Sequence, residues 1–296
     1  MAVKTVKYTF EGQVYTLTKN ASTGKYEATI TAPGKSSYNQ SGHKYGGSVT
    51  ATDEAGNSTT INQTHPTLGS SLLLRVLEKV APTLAFIYPT AGAYITNAAP
   101  AIKFKVTDND SGVNPNTIII KVDNVAVATD FTKTAVTGGY ECTYTPKTAL
   151  ADGQHTVSIE ASDNDGNQTS AKTVTFTIDT IPPTLTVTNP SEGLITNKPS
   201  LVVSGKTDDA TSKPVSVTIN GASVSVNTDG TFSKEITLAS GTNTITIIAT
   251  DKAGKSTTVT RKVALDTVAP VFKSATLTPN PVDCGNTFII SVEVID

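Results

Sequence analysis

Apolar and polar residues alternate along most of the chain in short runs, separated by Gly, Pro, Asn and Asp. In residues 157–161, Val, Ile and Ala occupy every second position, and residues 245–249 repeat the arrangement. A period of two residues places alternate side chains on the same face of a strand. The pattern therefore predicts an all-β protein built from many short strands, each with one buried face.

One strand–turn–strand segment occurs three times, at residues 49–57, 159–167 and 247–255. Each copy ends its first strand at an Asp and has a Gly three positions later. The Asp side chain can accept hydrogen bonds from backbone N–H groups two residues on, and Gly tolerates a positive φ. A turn that recurs about every hundred residues indicates a tandem array of small β domains.

Prolines and acidic residues mark the boundaries of the repeats. Residues 82–97 and 183–197 align with one deletion, and a further start follows at Pro270. An acidic residue stands four positions before each opening proline: Glu78, Asp179 and Asp266. We predict repeat 1 at residues 1–80, repeat 2 at 81–180, repeat 3 at 181–267 and a C-terminal segment at 268–296. Short linkers that contain Pro predict a semi-rigid rod.

The number of strands indicates the fold of the complete repeats. In repeat 2 we predict strands at 102–106, 117–122, 125–128, 140–144, 156–161 and 174–178. In repeat 3 we predict strands at 201–206, 215–219, 223–226, 231–236, 244–249 and 258–265. With the strand that follows each opening proline, about seven strands in about a hundred residues are typical of an immunoglobulin-like sandwich. The predicted fold is a row of tandem immunoglobulin-like β-sandwich domains.

Several motifs carry a resemblance to known proteins. Repeat 3 contains Val-Thr-Ile-Asn-Gly at 217–221 and Asp-Gly-Thr-Phe-Ser at 229–233, and repeat 2 contains a variant at 108–118. These motifs resemble bacterial and phage immunoglobulin-like repeats. With the Pro-Asn-Pro-Val-Asp-Cys-Gly stretch at 279–285, the chain resembles immunoglobulin-like proteins of Firmicutes prophage tails. The resemblance implies the fold and is compatible with adhesins, cell-wall enzymes and virions alike.

The two ends of the chain correspond to complementary parts of a repeat. Repeat 1 begins at a hairpin that matches the third strand of repeat 3, so its first two strands are absent, and the C-terminal segment matches those two strands. Our hypothesis is strand complementation, in which residues 273–296 of one chain complete residues 6–78 of another, or bind other virion proteins. The alternative is that repeat 1 is a naturally short sandwich and that the C-terminal segment is a frayed or partner-bound extension. The interface candidates are Tyr8, Phe10, Val14, Leu277, Phe288, Ile290, Val292 and Val294.

Bulk properties exclude several classes of function. Charged residues make up 16% of the chain and the net charge is −2, so no basic stripe is available for nucleic acid. No apolar run approaches the length of a membrane span, and the N-terminal alternation is not that of a signal peptide. Cys142 and Cys284 lie in different parts of the chain, and we predict that they are free thiols.

Acidic loop residues are the candidate metal ligands. Asp108, Asp110, Asp163 and Asp165 could supply hard oxygen ligands to calcium, together with the junction residues Asp179 and Asp266. The spacing is not that of an EF-hand, and we prefer the interpretation that these side chains close Asx turns, with no cofactor. Asp208 and Asp209 are neighbours in a loop and give no reason to expect glycosidase chemistry.

No catalytic motif emerges from the remaining polar residues. His155 lies eight positions before the signature Asp, where Tyr45 and Asn243 also fall, and we predict that it bonds back to the backbone. The sequence contains no nucleophile elbow and no metal-type pair of histidines. Tyr38, Tyr45, Tyr88 and Tyr94 are predicted to be exposed and able to stack on sugars.

The sequence therefore predicts a non-enzymatic structural protein. The main expectation is a component of a phage tail or tail-like particle, located in the virion, because the sequence shows no signal peptide, wall-sorting tail or anchor. The alternatives are an extracellular adhesion module that binds cell-surface carbohydrate, and accessory domains of a larger secreted protein.

Overall fold

The structure is a computed structural model that describes residues 2–128 and 130–296. It contains strands, turns and, within those residues, four short 3-10 helices at Ser37–Asn39, Ser41–His43, Gly69–Leu72 and Pro115–Thr117. The chain forms two compact units. The first extends to Ala93 and includes Ala98–Thr177, and the second comprises Tyr94–Asn97 and Ile178–Asp296. Each unit is described separately.

Repeat 1 forms one sheet in the part of the chain that the structure describes. Its strands are β1 (Val3–Phe10), β2 (Gln13–Lys19), β3 (Tyr26–Glu27), β4 (Tyr45–Asp53), β5 (Ser58–Asn62) and β6 (Leu73–Leu74). The order is β3-β2-β1-β4-β5, and β6 also pairs with β4. Val6 faces Ala51 and Tyr8 faces Val49 across β1 and β4, so these side chains share one apolar face. Threonines dominate the opposite face.

The core of repeat 1 is small. Three of its described hydrophobic side chains are buried: Val6, Phe10 and Tyr45. The loop before β4 covers this corner, because the Tyr45 hydroxyl donates a hydrogen bond to the Lys35 carbonyl and Ser37 is buried beside it. The rest of the apolar face, including Tyr8 and Val49, is half-buried.

Repeat 2 forms two sheets around a dense core. Its strands are β7 (Thr83–Tyr88), β8 (Ala93–Ile95), β9 (Ile102–Thr107), β10 (Ile119–Val122), β11 (Val125–Ala126), β12 (Thr132–Val136), β13 (Gly139–Tyr144), β14 (Gly153–Glu160) and β15 (Lys172–Ile178). The sheets have the orders β11-β10-β14-β15-β8 and β12-β13-β9-β7. Phe104 and Ile159 are fully buried between them.

Repeat 3 is a second complete sandwich. Its strands are β16 (Thr184–Asn189), β17 (Leu194–Thr196), β18 (Ser200–Asp208), β19 (Ser216–Ile219), β20 (Ala222–Val224), β21 (Thr231–Thr237), β22 (Gly241–Thr250) and β23 (Ser256–Leu265). The sheets have the orders β16-β18-β21 and β17-β23-β22-β19-β20. Val203, Ile219 and Ile247 lie in one continuous buried cluster, which confirms the predicted immunoglobulin-like fold.

The C-terminal segment is a hairpin of β24 (Val271–Thr278) and β25 (Ile289–Ile295). Every residue of both strands is exposed. Phe272 faces Val294 across the hairpin, as Leu84 faces Val106 across β7 and β9 in repeat 2. The hairpin therefore reproduces the β7–β9 pair of repeat 2 without the core that buries that pair.

Some predicted strands differ from the observed ones. The apolar run at 72–77 predicts the last strand of repeat 1 at 71–78, but the observed strand is confined to Leu73–Leu74. The Val76 N–H instead donates to the Ser37 hydroxyl, and the Val76 carbonyl accepts from the Ser37 N–H. Sequence patterns also missed three strands: Ala93–Ile95, Thr132–Val136 and Leu194–Thr196.

Candidate functional site

Three carboxylates meet at one end of repeat 2. Glu78 precedes β7, Asp108 follows β9 and Asp163 follows β14, and one oxygen of each lies within 4.8 Å of the others. Asp108 is 8% exposed and Asp163 is 1% exposed. We call these residues cluster 1.

The turns hold the carboxylates of cluster 1 in place. Asp108 Oδ1 accepts hydrogen bonds from the Asp110 and Gly112 N–H groups at 3.0 and 2.7 Å. Asp163 Oδ1 accepts from the N–H groups two and four residues on, at 2.9 and 2.8 Å. The Asx-turn interpretation is confirmed for these two residues. It accounts for one oxygen of each carboxylate, and the Asn167 side chain also donates to Asp163 Oδ2.

Asp110 and Asp165 lie outside cluster 1 and accept hydrogen bonds from Ser36 of repeat 1. Both oxygens of Asp110 accept from the Ser36 N–H, at 3.0 and 3.1 Å. Asp165 Oδ2 accepts from the Ser36 hydroxyl and from the Glu78 N–H, at 2.5 and 3.1 Å. These carboxylates attach the loop of repeat 1 to the loops of repeat 2 within the first unit.

The second unit contains an equivalent group of three carboxylates, Asp179, Asp209 and Asp251, which we call cluster 2. Their exposures are 0%, 5% and 6%. Asp209 Oδ1 accepts from the Thr211 and Ser212 N–H groups at 2.8 and 2.6 Å.

The hydrogen bonds of Asp179 and Asp251 leave one buried oxygen of cluster 2 without a partner. Asp251 Oδ1 accepts from the Lys255 N–H at 2.9 Å, and Asp179 Oδ2 accepts from the Ser212 hydroxyl. Asp251 Oδ2 is buried and has no hydrogen-bond partner.

Strand register shows that the two clusters are equivalent. Leu84 faces Val106 and Leu185 faces Thr207, so Asp108 and Asp209 follow the same position of the second strand. Asp163 and Asp251 are the signature-turn residues, and Glu78 and Asp179 are the junction acids. Sequence reasoning did not include Asp209 and Asp251 among the metal candidates, although the repeat alignment places them at the positions of Asp108 and Asp163.

His155 bonds to two acceptors. Its Nδ1 lies 2.7 Å from Asp123 Oδ2 and its Nε2 lies 2.8 Å from the Ala151 carbonyl oxygen. Tyr45 and Asn243, at the equivalent positions, also donate to backbone carbonyls. The predicted structural role of His155 is confirmed.

We expect repeat 2 to lose stability as the pH rises above neutrality. Burial lowers the pKa of His155, but the bonds to Ala151 and Asp123 outweigh it, so the pKa lies above its ordinary value. A raised folded-state pKa gives stability that is fully present below about pH 6.5 and is lost as the pH rises through the folded value. Thermal unfolding at several values between about pH 5 and 9 measures the slope of stability against pH. His155→Asn should remove the slope, and an unchanged slope would contradict this role.

The interface candidates fall on several surfaces. Tyr8 and Phe10 lie on the apolar face of repeat 1, whereas Val14 pairs with Thr9 and lies on the opposite, threonine-rich face. Val14 therefore does not share a face with Tyr8 and Phe10, because the two-residue turn sets Phe10 against Gln13. In the hairpin, one face carries Leu277, Ile290, Val292 and Val294, and Phe288 precedes β25.

The two cysteines agree with the sequence prediction, and Tyr45 does not. Cys142 is buried and Cys284 is exposed, and both are free; burial raises the pKa of the Cys142 thiol to about 11. Tyr45 is 4% exposed and packs edge-on against Phe10, so the expectation that it is free to stack on sugars was wrong. Among the described residues, no helix is long and apolar enough to cross a membrane.

Two family models match separate parts of the chain. Residues 91–180 match the bacterial Ig-like domain family, and residues 183–267 match glucodextranase, domain B. These matches cover repeats 2 and 3 and agree with the two complete sandwiches.

Relatives among curated proteins are proteinases. Bacillopeptidase F of Bacillus subtilis is 38% identical over 117 residues, which are 40% of this chain and 8% of that protein. The PII-type proteinase of Lacticaseibacillus paracasei is 26% identical over 269 residues, covering 83% of this chain and 14% of that protein. The chain thus spans a small part of the length of the curated relatives it matches.

The solved structures that are similar to this chain include a titin fragment and fibronectin(III)-like modules. The I-band fragment I67-I69 from titin has a TM-score of 0.40 at 12% identity and covers 89% of this chain and 88% of that one. The fibronectin(III)-like modules of Clostridium thermocellum CbhA have a TM-score of 0.39 at 17% identity, over 62% of this chain and 94% of that one.

Proposed function

We propose that the chain is a non-catalytic accessory array within a larger protein that is secreted or displayed on the cell surface. The observation that carries this proposal is the similarity to two kinds of proteinase, in which the matched region is 8% and 14% of the whole protein. The location in a phage tail stays a prediction, and these relatives favour the accessory array over it.

The described structure supports a non-catalytic role. The buried carboxylates of Asp108 and Asp209 close turns in repeats 2 and 3. His155 is held between Asp123 and a backbone carbonyl, which occupies both ring nitrogens. These arrangements stabilise a scaffold and leave its loops available for attachment to other domains.

Antibodies against repeat 2 test the proposal in the organism that encodes the chain. We expect the antigen in the cell-wall or culture-fluid fraction, in a polypeptide well above 30.7 kDa. Protease treatment of intact cells should remove the wall-bound signal. An antigen confined to the cytosol, or to phage particles at 30.7 kDa, would refute the accessory-array proposal.

A second candidate function is assembly of copies of the chain by strand complementation. The sheet order β2-β1-β4-β5 of repeat 1 matches β20-β19-β22-β23 of repeat 3. In repeat 3 that sheet packs against the sheet that contains the β16–β18 pair, which is the pair of strands that the hairpin reproduces. The occupant that fits the apolar face of repeat 1 is therefore the hairpin of a second copy.

Burial supports the same pairing. Val292 and Val294 occupy the positions of Phe104 and Val106, which are 0% exposed in repeat 2. In the hairpin these two valines are 45% and 48% exposed. A continuous apolar face of this kind is typical of a surface that binds another protein. Docking on repeat 1 would remove it from water and cover the half-buried face of Tyr8 and Val49.

A further inference from the structure

We propose that cluster 1 and cluster 2 are two equivalent calcium sites. Each uses a junction acid, an acid after the second strand of the repeat and the signature-turn Asp. The proposal does not depend on where the protein is located or on strand complementation.

The burial of three neighbouring carboxylates in cluster 2 favours a bound cation. Three carboxylate oxygens lie within 4.8 Å of one another, and all three residues are at least nine-tenths buried. Like charges at this distance disfavour one another, and buried charges in proteins are paired or coordinate metals. Among the described residues, no Lys, Arg or His forms an ion pair with any member of either cluster.

An unpartnered oxygen points to the ligand. Asp251 Oδ2 is buried without a hydrogen-bond partner, although the other oxygen of the same side chain is fixed by the turn. In cluster 1 the buried Ser111 hydroxyl, on the residue whose N–H donates to Glu78, likewise has no partner. A buried polar atom with no partner is costly, and a cation bound at cluster 2 would satisfy Asp251 Oδ2.

The donor set selects the class of metal. Both clusters offer carboxylate oxygens and, within the described residues, no His or Cys. Such oxygen donors suit hard cations, and calcium accepts an irregular set of about six to eight oxygens, whereas magnesium demands an octahedron and retains several waters. Turn N–H groups orient Oδ1 of Asp108, Asp209 and Asp251 and leave the second oxygen of each available to the ion. In Asp163 the turn likewise orients Oδ1, and Oδ2 also accepts a hydrogen bond from the Asn167 side chain.

Titration of the intact, chelator-treated chain with calcium chloride tests the proposal. We expect two ions per chain by equilibrium dialysis and a rise in Tm of about 5 °C at millimolar calcium. Magnesium chloride at the same concentration should produce little shift. An unchanged Tm with no bound calcium at millimolar concentration would overturn the proposal.

The substitution Asp251→Asn distinguishes the proposed role of Asp251 as a calcium ligand from its role in the turn. The amide retains an oxygen for the Lys255 N–H and removes one of three like charges. We therefore expect one bound ion instead of two, with a Tm at or above that of the wild type in chelator and below it in calcium. An equal drop in Tm in both buffers, with two ions still bound, would overturn the role of Asp251.

Asp53→Asn is the matched control. Asp53 closes the same turn in repeat 1, where its Oδ1 accepts from the Asn57 N–H at 2.9 Å, and it belongs to neither cluster. This variant should still bind two ions. If it lost an ion as Asp251→Asn does, the assignment of the sites to the two clusters would be wrong.

Discussion

Replacing Ile247 with alanine should destabilise repeat 3 by about 2–5 kcal/mol. Ile247 is fully buried on β22, between Ile219 of β19 and Val259 of β23. The substitution removes apolar surface from the core and leaves a cavity that the close-packed neighbours fill only in part. Hydrogen exchange followed by mass spectrometry measures the effect locally, as faster exchange in peptides from β22 and β23.

Ile195→Ala is the control for this substitution. Ile195 is the same residue type in the same repeat, on the short strand β17, but it is 71% exposed. Its replacement should change stability by no more than about 0.5 kcal/mol. Equal effects of the two substitutions would mean that the buried cluster around Ile247 does not determine the stability of repeat 3.

Replacing Ile290 with aspartate should weaken self-association of the chain about a hundredfold. Ile290 faces Leu277 on the apolar face of the hairpin, the face that would enter repeat 1 of a second copy. Burial of an unpaired carboxylate there costs about 3 kcal/mol or more, which corresponds to that change in affinity. Light scattering of the wild type should give a mass that rises with concentration above 30.7 kDa.

Ile289→Asp is the matched control, because the neighbouring Ile289 is similarly exposed and lies on the opposite face. The exposures of Ile289 and Ile290 are 67% and 65%. The Ile289 variant should associate like the wild type, and the Ile290 variant should stay at 30.7 kDa. A wild type that is monomeric at every concentration, or two variants that behave alike, would rule out complementation through this face.

The repeats were predictable because their signals are local. Alternation in a strand and the Asp-x-x-Gly turn depend on neighbouring residues, and Gly166 and Gly254 do adopt positive φ in the turn. The strand Thr132–Val136 was missed because most of its residues are not apolar and its pattern resembles a polar loop. The side on which Val14 lies was missed because it depends on register across the hairpin turn.

The clusters were only partly predictable because their members are far apart in sequence. Asp108 and Asp163 were proposed as ligands, but Asp209 resembled an ordinary loop acid beside Asp208, and Asp251 resembled a turn residue. Only the fold brings Asp179, Asp209 and Asp251 together. Asp110 accepts a hydrogen bond from the Ser36 N–H of repeat 1 and does not join cluster 1, and the sequence contains no pattern that predicts this contact.

Each cluster takes its members from one repeat and the acidic residue that introduces it. Duplication or loss of a whole repeat, cut at the same point before the junction acid, therefore carries a complete cluster with it. An array built this way can change length during evolution without a new set of ligands.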